Sequence, residues 1–290
     1  MRIKISFCTI AFRHRPMLLE DILFIISELG YDGVEIWSKH LEKYETSLDK
    51  IKNILKWQNL EVNMISPYFD FTGSYKKWYE SIENAKKYIC IAKELGCPLI
   101  RCFTGKVPSE FATEKQWNSC VEGIKYISQV AKKEGITIAI ETHPSTLADT
   151  ISSTLKLIEK INEENVKINL DFYNLYEVDN TDPLTAIEKL YPYIVNIHAK
   201  NAVLSEGRIS PFRYVLGKNH MLKNIRYLSC GDLNYNLVLE ELVKRGYNGY
   251  ISIECFETRR SPLRVAKDEI KWFRQVMNNL LTARRIESSR

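Results

Sequence analysis

Residues 115–144 read KQWNSCVEGIKYISQVAKKEGITIAIETHP, and this stretch contains the repeating unit from which the fold is predicted. Apolar residues recur at helical spacing as far as residue 134, and Gly135 ends that helix. An apolar run over residues 136–141 follows and predicts a buried strand. The strand then runs into Glu141 and His143, two polar side chains that are costly to bury without partners.

The same alternation of short apolar runs and longer amphipathic runs extends along the whole chain. Strands are predicted at residues 3–8, 33–37, 61–66, 99–103, 136–141, 166–171, 194–199 and 250–255. Helices are predicted at residues 16–30, 48–58, 77–95, 115–134, 153–162, 182–191, 236–246 and 261–281, whereas residues 200–232 show little periodicity. Strict alternation implies parallel strands with helical crossovers. Eight such units predict an α/β fold, specifically a (β/α)8 TIM barrel.

A doubly wound open sheet is the alternative architecture. It is disfavoured because no glycine-rich phosphate-binding fingerprint follows the first predicted strand, where residues 8–12 read CTIAF. No linker rich in proline, glycine or serine interrupts the alternation. We therefore expect a single barrel domain over residues 1–283, followed by a basic tail at residues 284–290.

Bulk composition narrows the classes of function. A net charge of +5, with lysine and arginine spread over many helices, does not support a nucleic-acid or membrane role. No apolar run reaches the length of about 18 residues that a membrane span needs, and the N-terminus lacks the core of a signal peptide. The seven cysteines are an odd number without a close CxxC pair, so we expect reduced thiols and a cytoplasmic protein.

Four successive predicted strands each carry a metal-type ligand at the carboxyl end, and the carboxyl ends of parallel barrel strands meet at one rim. Three carboxylates and one imidazole would lie close together there, and a divalent cation would remove the repulsion among the carboxylates. We expect Mn²⁺, with Mg²⁺, Co²⁺ and Zn²⁺ as alternatives. Taken singly, each residue has an ordinary alternative as a helix cap, a surface charge or a core histidine. The four residues are Glu141, Asp171, His198 and Glu254.

Strand parity adds further residues at this rim, because side chains two positions apart share a face. His143 shares the face of Glu141, and Lys200 shares the face of His198. Each is a candidate substrate contact, with a salt bridge to a neighbouring carboxylate as the alternative. Glu35 ends the second predicted strand, and we expect it to form an ion pair with a lysine or arginine of the rim.

With these residues in place, the sequence resembles the xylose-isomerase-like TIM barrel superfamily, and within it the sugar phosphate isomerase/epimerase family. The resemblance covers nearly the whole chain and implies the same four metal ligands. Its motifs lie at residues 30–36 (GYDGVEI), 59–70 (NLEVNMISPYFD), 138–143 (IAIETH), 169–174 (NLDFYN), 197–201 (IHAKN), 230–235 (CGDLNY) and 246–255 (GYNGYISIEC). The last of these motifs is the most specific.

The resemblance implies a metal-dependent isomerase or epimerase that acts on a sugar or polyol, phosphorylated or not, through a cis-enediolate. It implies that Glu141 and Glu254 form the acid–base pair on the two faces of the substrate. Arg208 resembles the family's substrate arginine, with Arg213 as a competing candidate. Asn174 stands where many members have histidine, and its amide can hydrogen-bond a substrate hydroxyl.

Two other functions stay open at this point. A dehydratase of the inosose or dehydroshikimate type would use the same metal but expel a β-hydroxyl group. A non-catalytic sugar-binding barrel is disfavoured by the complete ligand set. The related endonuclease IV needs a three-zinc site with many histidines, whereas this chain has five histidines in all. We expect a small-molecule substrate, no nucleic-acid or membrane partner, and a homodimer.

Overall fold

A computed structural model of the chain describes residues 2–44, 47–204, 223–256 and 260–288. The strands within these residues are β1 (Lys4–Cys8), β2 (Gly33–Trp37), β3 (Glu61–Ser66), β4 (Leu99–Cys102), β5 (Thr137–Glu141), β6 (Val166–Asp171), β7 (Ile194–Ala199), β8 (Asn201–Leu204), β9 (Lys223–Arg226) and β10 (Tyr250–Ile253). The helices are α1 (Leu19–Glu28), α2 (Asp49–Gln58), α3 (Tyr75–Leu95), α4 (Glu114–Lys133), α5 (Ile151–Ile161), α6 (Phe172–Asp179), α7 (Pro183–Leu190), α8 (Tyr235–Lys244) and α9 (Pro262–Ser288).

Eight of these strands close into a parallel barrel in the order β1-β10-β7-β6-β5-β4-β3-β2. The barrel strands and the helices outside them alternate along the chain, and the main apolar core lies between the two layers. The predicted (β/α)8 barrel and its single-domain organisation are therefore confirmed.

The ends of the helices show why the alternation could be predicted. α3 and α4 are followed by Gly96 and Gly135, which adopt the left-handed φ values of 65° and 69° that favour glycine. α4 begins with a capping box, in which Thr113 and Gln116 exchange hydrogen bonds. No helix in the described part of the chain is both long enough and apolar enough to cross a membrane.

One described helix and two described strands were not predicted. α6 begins directly after β6, and the carboxylate of Asp171 caps it by accepting a hydrogen bond of 2.9 Å from the backbone N–H of Asn174. A helix of only eight residues that follows a strand without a turn has too few residues to show its own period. β8 and β9 form an antiparallel pair of four-residue strands within the stretch expected to lack periodicity.

A layer of small polar side chains fills the barrel interior below the carboxyl-terminal rim. The Asn63 amide donates to Asn196 at 3.1 Å, and the Asn196 amide donates to Asn169 at 2.8 Å. The hydroxyls of Ser6 and Ser252 lie 2.7 Å apart in the same layer, and the Asn63 amide also donates to Ser252 at 3.1 Å. Because Asn169, Asn196 and Ser252 each precede a predicted ligand by two residues, this layer marks the strand face that points into the barrel.

Candidate metal centre and active site

The four predicted ligand residues meet at the carboxyl-terminal rim of the barrel. Glu141 and Asp171 are the last residues of β5 and β6, His198 lies in β7, and Glu254 directly follows β10. One oxygen or nitrogen atom from each of the four lies within 4.8 Å of the others, and all four side chains are buried. A cluster of this composition can hold a metal ion.

The geometry around His198 fits a shared cation better than a set of hydrogen bonds. Its Nδ1 atom lies 3.6 Å from Glu141 Oε1, 3.9 Å from Asp171 Oδ2 and 3.7 Å from Glu254 Oε2. These separations are too long for hydrogen bonds, and within the described structure this buried Nδ1 has no hydrogen-bond partner. Two atoms that each lie about 2.1 Å from one ion are separated by about 3.0–4.2 Å, so the spacing suits one cation.

Charge balance also favours a divalent cation. The described charged side chains at this rim that are at most 10% exposed include four carboxylates and two permanent cations, which leaves two negative charges when His198 is neutral. A divalent ion would neutralise both charges, and burial of uncompensated charge is strongly unfavourable. The groups counted are Glu35, Glu141, Asp171, Glu254, Arg101 and Lys200.

Without a cation, protons have to compensate this charge. Burial, together with the neighbouring carboxylates of Glu141 and Glu254, raises the pKa of Asp171 to about 6 in spite of the nearby Lys200. Burial alone would lower the pKa of His198, but the surrounding carboxylates outweigh burial and raise that pKa well above its ordinary value. Metal binding would therefore displace protons from this cluster.

Arg101 is a buried member of the site that sequence reasoning missed. It lies in β4 with only 2% of its side chain exposed, and its Nη1 atom is 3.2 Å from Glu141 Oε2. Burial alone would raise the pKa of Glu141, but His198 and Arg101 hold it well below its usual range. The available signal was an arginine in the apolar run LIRC, where a charged side chain requires a buried partner.

Glu35 lies on the far side of the imidazole from the other carboxylates. Its two oxygens lie 2.8 and 3.0 Å from His198 Nε2, and it also accepts a hydrogen bond from the hydroxyl of Ser66. The expected lysine or arginine partner was thus wrong, because the closest cationic group is the imidazole of β7, which faces β2 across the barrel.

His143 lines the cavity above the ligands, half-buried against the ring of Phe103. Its Nδ1 atom lies 2.7 Å from the carbonyl oxygen of Pro144. Because a carbonyl only accepts hydrogen bonds, Nδ1 must carry the proton, and Nε2 then keeps its lone pair. Burial lowers the pKa of His143, so the ring is held neutral near pH 7.

The other predicted substrate contacts have different surroundings. Lys200 lines the cavity but also forms the alternative salt bridges, at 2.7 Å to Asp171 and 3.0 Å to Glu254. Asn174 is buried, and its amide donates to Glu141 at 3.3 Å and to the carbonyl of Thr142 at 2.9 Å. Arg208 and Arg213 lie outside the described residues, and the substrate contacts of all these side chains stay predictions.

A cavity of about 610 Å³ opens over the ligand cluster. Its volume is in the range of about 300–1,000 Å³ that is usual for small-molecule sites. Its walls combine the aromatic rings of Tyr68, Phe103 and Phe256 with the cationic groups of Arg101 and Lys106. Another cavity, of about 310 Å³, lies at the opposite end of the barrel between β1 and α9, away from the ligand cluster.

Comparisons with known proteins match most of the length of the chain. A family model described as xylose isomerase-like TIM barrel matches residues 23–276. The chain is 31% identical over 285 residues to a 3-dehydroshikimate dehydratase of Bacillus anthracis, covering 95% of this chain and 97% of the relative. It is 25% identical over 263 residues to a 2-oxo-tetronate isomerase of Haemophilus influenzae, covering 85% and 90%. The crystal structure of a probable 3-DHS dehydratase, AsbF from Bacillus anthracis, superposes with a TM-score of 0.80 at 30% identity, covering 93% of this chain and 98% of that chain.

Proposed function

Because the chain belongs to the xylose isomerase-like TIM barrel family, we propose that it is a divalent-metal-dependent dehydratase of a small cyclic hydroxy ketone that carries a carboxylate. The model substrate is 3-dehydroshikimate, which the name of the 31% identical relative contains. This order reverses the expectation from sequence, which ranked the isomerase or epimerase first. Mn²⁺ remains the proposed cation.

The observation that carries the proposal is the neutral His143 at the edge of the cavity. Its proton is held on Nδ1 by the Pro144 carbonyl, so Nε2 is available as a base at neutral pH. Glu141 is a much weaker base, since its pKa is held low by His198 and Arg101. A neutral histidine base, next to ligand carboxylates that are held in ion pairs, suits a reaction that removes one proton and expels a leaving group.

The walls of the cavity support the proposed class of substrate. Three aromatic side chains provide flat apolar surfaces that suit a six-membered ring. The guanidinium of Arg101 lies 4.8 Å from the centre of the Tyr68 ring and 4.4 Å from the centre of the Phe103 ring, so positive charge is concentrated beside these surfaces. Lys106, which is exposed at the cavity wall, adds a cation that can attract a carboxylate.

The proposed chemistry divides between the cation and the protein. A divalent cation held by the four ligand residues would polarise the substrate carbonyl and acidify the adjacent C–H bond. His143 Nε2 accepts that proton, and the C–H electron pair forms the new C=C bond as the β-hydroxyl group leaves. The departing hydroxyl takes a proton from the charged His143 and leaves as water. Lys200 keeps Asp171 and Glu254 oriented through its two salt bridges. For 3-dehydroshikimate, loss of one water and enolisation leave an aromatic dihydroxybenzoate.

The test is direct incubation of the purified protein and Mn²⁺ with 3-dehydroshikimate, with product identified by mass and by the ultraviolet absorbance of the new aromatic ring. We expect one equivalent of dihydroxybenzoate for each substrate molecule consumed. A protein that binds Mn²⁺ but releases no dehydrated product from this ketone or from an inosose would contradict the dehydratase proposal.

An isomerase or epimerase is the second candidate, since Glu141 and Glu254 both line the cavity, as the family's acid–base pair would require. Reaction in deuterated water separates the two. An isomerase or epimerase introduces deuterium at a substrate carbon without net loss of water, and this exchange should survive replacement of His143 by asparagine. A dehydratase should lose its activity in the same variant.

A further inference from the structure

Glu35 is a completely buried carboxylate that neither the predicted ligand set nor the proposed reaction uses. It lies in β2, whereas the four ligand residues come from β5, β6, β7 and the end of β10. A charged side chain at 0% exposure is very unfavourable unless hydrogen bonds and opposite charges compensate it. The groups that compensate Glu35 therefore indicate its role.

The bonds around Glu35 determine which nitrogen of His198 is free. Both carboxylate oxygens lie within hydrogen-bond distance of Nε2, at 2.8 and 3.0 Å. An ionised carboxylate only accepts, so Nε2 carries a hydrogen, and the lone pair of the neutral ring is then on Nδ1. Nδ1 is the atom that faces Glu141, Asp171 and Glu254 at 3.6–3.9 Å.

The orientation of Glu35 is itself fixed. The hydroxyl of Ser66, the last residue of the neighbouring β3, donates to one of its oxygens. The carboxylate therefore cannot turn away from the imidazole without losing bonds on both sides. Glu35 is also not part of the cluster of ligand atoms that lie within 4.8 Å of one another.

We infer that Glu35 is a positioning residue of the proposed metal centre, which orients His198, selects its tautomer and strengthens Nδ1 as a ligand. This inference rests on the proposed metal-dependent function. Outer partners of this kind commonly change metal affinity by about 10–100-fold when they are removed. The negative charge of Glu35 also raises the electron density of the ring, which a neutral acceptor does to a smaller extent.

The experiment is a titration of the metal-free protein with Co²⁺, measured by calorimetry and by the visible absorption of the bound ion. Glu35→Gln keeps a hydrogen-bond acceptor but removes the charge, whereas Glu35→Leu removes both. We expect Co²⁺ affinity to fall by about 10-fold in the first variant and by up to about 100-fold in the second, with a changed absorption spectrum in each. The graded series separates a positioning role from a general loss of packing.

The matched control is Glu269→Gln. Glu269 also has a buried carboxyl group, but it accepts from the backbone N–H of Leu228, away from the ligand cluster. Its substitution should leave Co²⁺ affinity within twofold of the wild type. Circular dichroism and thermal unfolding check that each variant is folded, and Glu35→Gln carries the test if the leucine variant does not fold.

Failure of metal binding and failure of the positioning role give different results. If the wild-type protein binds no divalent ion, the proposed metal-dependent function falls, and the role of Glu35 falls with it. If the wild type binds Co²⁺ and both Glu35 variants bind it as tightly as Glu269→Gln, only the positioning role is overturned.

Discussion

Replacement of Arg101 by methionine tests whether the buried charges at the barrel rim compensate one another. The guanidinium is 2% exposed, lies 3.2 Å from Glu141, and donates to the backbone carbonyls of Ser66 at 3.4 Å and Pro67 at 3.2 Å. Methionine keeps much of the apolar stem but removes the charge and all of these contacts. Glu141 is then left without its nearest permanent cation.

The magnitude follows from these contacts. Removal of one partner of a buried ion pair costs about 3–5 kcal/mol, so we expect the free energy of unfolding of the metal-free protein to fall by that amount. Saturating Mn²⁺ should reduce the loss, because the ion supplies positive charge to Glu141. The remaining loss should be about 1–3 kcal/mol, the contribution of the two carbonyl hydrogen bonds that the ion does not replace.

Urea unfolding, followed by circular dichroism with and without Mn²⁺, measures both quantities. The control is Arg245→Met, which removes an ion pair at 2.6 Å between Arg245, directly after α8, and Glu241 in the last turn of α8. Exposed pairs at this helical spacing contribute about 0.3–0.5 kcal/mol, independent of Mn²⁺. The reasoning is refuted if Arg101→Met costs no more than the control, or if Mn²⁺ leaves its cost unchanged.

Three further predictions concern the base, a remote buried carboxyl and the metal. His143→Asn should lower kcat by about 10²–10⁴-fold, measured as aromatic product formed, while Mn²⁺ affinity stays within twofold of the wild type. Burial raises the pKa of Glu269 from its ordinary 4.5 to about 8, so the folded state binds more protons than the unfolded state between these values. Its contribution to stability is complete below pH 4.5 and is lost as the pH rises through 8, with a slope near 1.4 kcal/mol per pH unit. Because Asp171 also titrates near pH 6, the measured quantity is a difference: in urea unfolding from pH 5 to 8 the stability of the wild type should fall more steeply than that of Glu269→Gln by about this slope, and equal slopes would contradict the prediction. Mn²⁺ at a hundred times its Kd should raise the free energy of unfolding by about 2.7 kcal/mol, a chelator should reverse this, and thermal unfolding unaffected by either would argue against a metal centre.

The fold and the candidate ligand set were predictable because both depend on local pattern. Helices and strands differ in period, and a parallel barrel places the carboxyl ends of all its strands at one rim. The polar residues that end β5 and β6 could therefore be assigned to the candidate site without coordinates. Neither α6 nor the β8–β9 pair was predicted, because these elements are too short to show a period of their own.

The sequence by itself determined the closed barrel and which residues meet at its rim: the alternation of strands and helices, the positions of Glu141, Asp171, His198 and Glu254, and the parity that places His143 beside them. The partners of those charges were decided only by the tertiary structure. Arg101 opposes Glu141 from the neighbouring strand, Glu35 meets His198 from across the barrel, and the Pro144 carbonyl sets the tautomer of His143. The physical reason is that compensation of a buried charge depends on distances of 3–4 Å between side chains from different elements, and those distances exist only once the barrel has closed.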